Sequence, residues 1–147
     1  MATGPHLKIA LLCERALEEK DGVISIIRVV DRFVPMLPAE ARNRPGLAVP
    51  LRACAVISLI RGEAERGPHR LILRIDGPGA QAGNQEVPFE FEAGGPEATH
   101  NALIILDLAV VEGRYWMNVM VNRADHLVAR VPFQVAFAFP PTAMAQA

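Results

Sequence analysis

Residues 103–139 read LIILDLAVVEGRYWMNVMVNRADHLVARVPFQVAFAF. Apolar side chains recur at every second position through three runs, 103–111, 114–122 and 127–139, with turn residues between them. A period of two belongs to a strand with one buried face, and a helix does not satisfy it. The two-residue connection Glu112-Gly113 predicts a tight hairpin with Val110 opposite Tyr115, Leu108 opposite Met117, Leu106 opposite Val119 and Ile104 opposite Val121. A second hairpin through 122–126 predicts Val121 by Leu127, Val119 by Ala129, Met117 by Val131 and Tyr115 by Phe133. One face of the resulting sheet is then an unbroken apolar layer, extended by Val135, Phe137 and Phe139. A one-residue slip would mix the faces.

The opposite face is expected to carry the rows Ile105–Met120–Val128, Asp107–Asn118–Arg130 and Ala109–Trp116–Pro132. Most of these residues are apolar, where a solvated face of an antiparallel sheet reads polar. Ile105, Ala109, Trp116, Met120, Val128 and Pro132 are therefore a candidate interface, covered by a second copy of the chain or by the loop at 35–50. Asp107, Asn118 and Arg130 are a candidate polar row. A carboxylate, an amide and a guanidinium in apolar surroundings suit an anion or substrate, and they equally suit cross-strand pairing.

Upstream the same pattern continues. Strands are predicted over 7–13, 23–30, 51–60, 69–75 and 86–92. Asp21-Gly22 is a hairpin dipeptide, and 14–20 reads as a hairpin end or one helical turn. Residues 35–50 contain Pro35, Pro38, Pro45 and Pro50, so they form a long loop with a helical turn at 39–42. Further loops fall at 76–85 and 93–101, and the tail 140–147 is expected to be mobile. Short strands at regular spacing argue for one all-β domain over 1–147. It is read as a two-sheet antiparallel β-sandwich, immunoglobulin-like or jelly-roll-like, of about eight strands.

Composition narrows the function. With 15 basic and 16 acidic side chains the net charge is −1, which argues against a nucleic-acid surface. The apolar run at 9–13 ends at Glu14 and Arg15, too short for a signal peptide, and no stretch is long enough to span a membrane. A cytoplasmic location is expected. Cys13 and Cys54 lie in apolar strands outside any metal-type spacing, so two buried free thiols are expected.

Catalytic patterns are sparse. His6, His69, His100 and His126 are scattered, with none of the close spacings that put two imidazoles on one metal. Ser25 and Ser58 lack the elbow that exposes a nucleophile. The glycines at 77–83 and 94–95 lack the phosphate-loop pattern. Arg61, Arg66, Arg70 and Arg74 have no interleaved aromatics for stacking bases.

Three stretches carry a resemblance. They are Leu12-Cys13-Glu14 leading to Asp21-Gly22-Val23-Ile24-Ser25-Ile26-Ile27, then Asp76-Gly77-Pro78-Gly79, then Gly113-Arg114-Tyr115-Trp116-Met117-Asn118-Val119. The layout resembles a family of small uncharacterised bacterial β-sandwich proteins, with Arg28 standing where that pattern has a glycine. The resemblance implies a fold and no activity.

Without a catalytic set or an expected cofactor, the reading is a non-enzymatic sandwich that binds a protein partner or itself, as a homodimer. The alternative is a small-molecule or carbohydrate module with its site in loops 76–85 and 93–101. An enzyme using His100 or His126 with Asp125 or Asp107 is a third reading.

Overall fold

The computed structural model describes residues 4–64, 67–78, 84–91 and 94–141. Among them are nine strands: β1 (His6–Glu18), β2 (Ile24–Val29), β3 (Arg32–Phe33), β4 (Val49–Ile60), β5 (His69–Asp76), β6 (Gln85–Phe89), β7 (Thr99–Val110), β8 (Gly113–Val121) and β9 (Leu127–Val135). They form a four-stranded sheet in the order β2-β1-β4-β7 and a five-stranded sheet in the order β3-β9-β8-β5-β6. The protein is a two-sheet β-sandwich.

The alternation in the sequence sorts side chains to the two sides of each sheet. Leu12, Ala55, Ile57, Leu59 and Leu106 from the first sheet meet Leu71, Leu73, Met117, Val119 and Val121 from the second in one buried cluster. Fully burying a Leu, Ile, Val or Met side chain is worth roughly 1.5–3 kcal/mol of transfer free energy. This layer is the main source of cohesion.

One pairing expected from the sequence does not form. β7 and β8 lie in opposite sheets, and Glu112-Gly113 is an arch between sheets rather than a hairpin. Ile104, Leu106, Leu108 and Val110 do face inward, but they meet β8 across the core instead of beside it. The true neighbours of β7 and β8 are β4 and β5, with Ala55 by Ile104 and Leu73 by Val119.

β8 and β9 pair in the expected register, with Tyr115 by Phe133, Met117 by Val131 and Val119 by Ala129. A bulge after Val119 then sets Met120, not Val121, opposite Leu127. Asp21-Gly22 does turn a hairpin, and residues 14–18 extend β1 rather than coil. Arg28 takes φ 55°, in the left-handed region that glycine favours.

β3 has no signature in the sequence. It is two residues long and pairs parallel to β9, so the second sheet is not wholly antiparallel. The expected helical turn is a 3-10 turn at Ala39–Asn43. Its Ala41, with Leu37, is buried in the main core, and Arg42 stacks 5.1 Å over the Phe139 ring. The loop at 35–50, one of the two covers expected for Trp116, instead closes one end of the sandwich, where Ala41, Arg42 and residues 44–47 line a depression with Val111, Glu112 and Phe137. Residues 142–147, most of the expected mobile tail, lie outside the described residues.

Candidate functional site

The single surface expected from the sequence is divided between the two outer faces of the sandwich. Ile105, Asp107 and Ala109 lie on β7 in the four-stranded sheet, while Trp116, Asn118, Met120, Arg130 and Pro132 lie on β8 and β9 in the other. Val128 sits at the bulge and packs against the main core, out of the expected row with Met120.

On the five-stranded sheet β5 takes the place expected for β7. The rows are Arg74–Asn118–Arg130 and Asp76–Trp116–Pro132. Asp76 therefore supplies the carboxylate expected from Asp107. Asn118 is 3% exposed and its Nδ2 donates to Asp76 Oδ2 at 2.5 Å. Arg74 Nε lies 3.4 Å from Asp76 Oδ1. The Arg130 guanidinium lies 4.1 Å over the Trp116 ring, which half-buries the indole beneath a cation. Asp76, Arg74, Asn118, Met120, Leu127 and Arg130 border a shallow depression of about 240 Å³. Arg74, Asp76 and Asn118 satisfy one another and Arg130 rests on Trp116, so structural pairing is the simpler account of this row.

Asp107 has a different partner altogether. Arg52 stands directly across from it on β4 and donates through Nε at 2.7 Å and Nη2 at 3.3 Å. This forked pair holds the Asp107 carboxyl below its usual range, chiefly through the hydrogen bond.

The outer face of the four-stranded sheet is the greasier one. Strand pairing aligns Val29–Cys13–Cys54–Ile105 and Leu11–Val56–Leu103 as two rows across the sheet. Cys13, Cys54 and Val56 are buried at the centre, yet Val29 is 65% and Ile105 54% exposed at the two ends. Ala16, Ile24 and Ile26 extend the apolar area along β1 and β2, half-buried against the same cluster. Arg52–Asp107 borders it on one side, and Ser58–Asn101 on the other. Cys13 and Cys54 are free thiols on facing positions, and burial, reinforced by Cys54, pushes the Cys13 thiol up to about 11. A thiol so raised is a poor nucleophile at neutral pH.

The residues of the enzymatic reading are not brought together. His100 stacks on Phe89 at 4.8 Å between ring centres, and His69 stacks on the same ring at 5.4 Å. His100 and Asp107 are separated by seven positions of one strand, roughly 23 Å at 3.3 Å per residue. Asp125 pairs with Arg123 in the exposed turn beside His126. Among the described residues no three His, Cys, Asp or Glu side chains gather as metal ligands, and no helix is long and apolar enough to cross a membrane. Arg66, residues 79–83 and residues 92–93 lie outside the described residues, and with them half of the loop 76–85 expected to hold a small ligand; of the other expected loop, 93–101, the last three residues belong to β7.

What sequence reasoning missed is the Asp76–Asn118 contact and the patch around Cys54. The first needs β5 placed beside β8. The second had a usable signal: residues 49–60 are apolar on both faces, the pattern of a strand covered on both sides. No protein-family model matches the chain, and no curated protein matches it.

Proposed function

We propose that this chain is a non-enzymatic β-sandwich that docks a protein, a second copy included, through the outer face of its four-stranded sheet. One observation carries the reading: two registered apolar rows cross that face from Val29 to Ile105 and from Leu11 to Leu103, and Val29 and Ile105 stand open to water. Monomeric soluble proteins rarely leave a contiguous apolar patch uncovered on a sheet face. The paired Arg52–Asp107 and Ser58–Asn101 rows give it the polar rim common at interfaces. Two free thiols and the bacterial resemblance are in keeping with a reducing, cytoplasmic setting.

The test is a photo-activated cross-linker placed at Ile105 or Val29, with Arg114 on the other sheet as control, in cells producing the protein. A protein cross-linked from the first two positions but not the control, identified by mass spectrometry, is the expected result. Equal labelling from all three positions, or none, refutes the reading.

A further inference from the structure

We infer that β7 is a self-pairing edge: two copies of the chain join antiparallel along Thr99–Val110, about a two-fold axis at Ile104, and merge their four-stranded sheets into one. This goes beyond the docking reading above: it concerns the β7 edge of the same sheet and leaves the outer face, with Val29 on the opposite edge strand, uncovered.

Among the described residues the two sheets have four edges, β2, β7, β3 and β6. An open edge presents unpaired N–H and C=O groups to any passing strand, and proteins guard it with shortness, proline, charge or a bulge. Three of the four are guarded. β3 is two residues long. β6 is five residues long and contains Pro88. β2 carries Arg28 in its left-handed conformation, tied to Glu14 by an ion pair of 3.1 Å. β7 has none of these devices. It runs for twelve residues without proline, lysine or arginine, and no described strand pairs with its far side. Its one acidic residue, Asp107, is already neutralised by Arg52.

The register follows from chemistry. Side chains facing each other across an antiparallel pair share a face, so the axis must fall on a residue for core to meet core. With the axis at Ile104, outward Ile105 meets the Leu103 position of the second copy, and Asp107 meets its Asn101 position. Asn101 Oδ1 already accepts from Ser58 Oγ at 2.7 Å, which leaves its NH₂ to donate to the carboxylate. Moving the axis to residue 103 sets Ile105 against Asn101 of the other copy. Moving it to residue 105 sets Asp107 against Leu103. Only the central choice matches apolar with apolar and donor with acceptor.

Light scattering on the purified chain should give twice the chain mass. Leu103→Lys with Ile105→Lys puts like charges opposite each other twice and should weaken pairing at least tenfold. Leu103→Glu with Ile105→Lys makes those contacts attractive and should restore the dimer. Independently of such charges, a mixture of Thr99→Cys and Ala109→Cys chains should form an interchain disulfide on mild oxidation, and neither chain alone should. A monomeric wild type overturns the inference, and so does a dimer indifferent to the paired lysines. Disulfides from either cysteine variant alone overturn the register. A monomer whose Ile105 still cross-links another protein ends self-pairing but keeps the docking reading, whereas a monomer without cross-links ends both.

Discussion

The phenolic oxygen of Tyr115 accepts from the Val111 amide at 3.0 Å and lies 2.8 Å from the Val111 carbonyl and 2.9 Å from that of Pro78, sharing its proton between them. A residue of β8 is thereby tied to the arch from β7 and to the end of β5. Tyr115→Phe keeps the ring stacked on Phe133 but removes the hydroxyl from these part-buried backbone groups, so it should cost about 1 kcal/mol in urea unfolding. A loss below a few tenths would show that the tie is dispensable.

Gly77 leaves the space that ring occupies. A Cβ there would run into Tyr115 Cδ2, and one on Gly113 would meet Pro78 Cγ. Gly77→Ala should destabilise by roughly 1–3 kcal/mol through overpacking. In the Tyr115→Ala background the same change should be nearly silent, and an additive double-mutant cycle would contradict this contact.

The buried thiols predict an alkaline weakness. Because the folded Cys13 thiol titrates near 11 rather than 9.0, the unfolded chain loses its proton first, and stability falls as pH climbs between those values. The slope approaches about 1.4 kcal/mol per pH unit for one such group. Cys13→Ala should flatten it in unfolding curves measured under reducing conditions. Equal slopes in the two proteins would dismiss the effect.

Arg52–Asp107 works in the opposite direction. The Asp107 carboxyl is depressed in the folded chain, so its contribution is present at neutral pH and is lost as pH falls below about 3.8, the ordinary value. The pair is exposed, and salt should weaken it. Melting temperatures of wild type and Arg52→Ala should therefore differ slightly at pH 7 and converge in acid or high salt. A difference that persists in acid would assign it to packing of the Arg52 stem.

Strand positions and their buried faces are legible in the sequence because alternation reports inside against outside. It does not report which sheet a strand joins. Val110 and Tyr115 point into the core whether Glu112-Gly113 makes a hairpin or an arch, so apolar matching between 103–111 and 114–122 fits both. The turn chemistry holds the better clue: a two-residue hairpin of type I′ needs positive φ at both positions, and Glu112 is unsuited to it. Among the described non-glycine residues only Arg28 and Asn122 adopt positive φ. Once β7 moves to the other sheet, the polar row of Asp107, Asn118 and Arg130 dissolves, and Asp76 enters beside Asn118. β3 is too short to show a period at all.

The parallel pairing of Arg32 with Gln134 and Phe33 with Val135 bears on how the chain reaches this state. Together with β1 on β4 and β4 on β7, it leaves most partners far apart in sequence, the topology of a slow folder in the millisecond-to-second range. During synthesis the seam between β3 and β9 cannot close until almost the whole domain has left the ribosome. The greasy run Ala53–Leu59 of β4 likewise waits about forty residues for β7, an interval in which a chaperone would find something to hold.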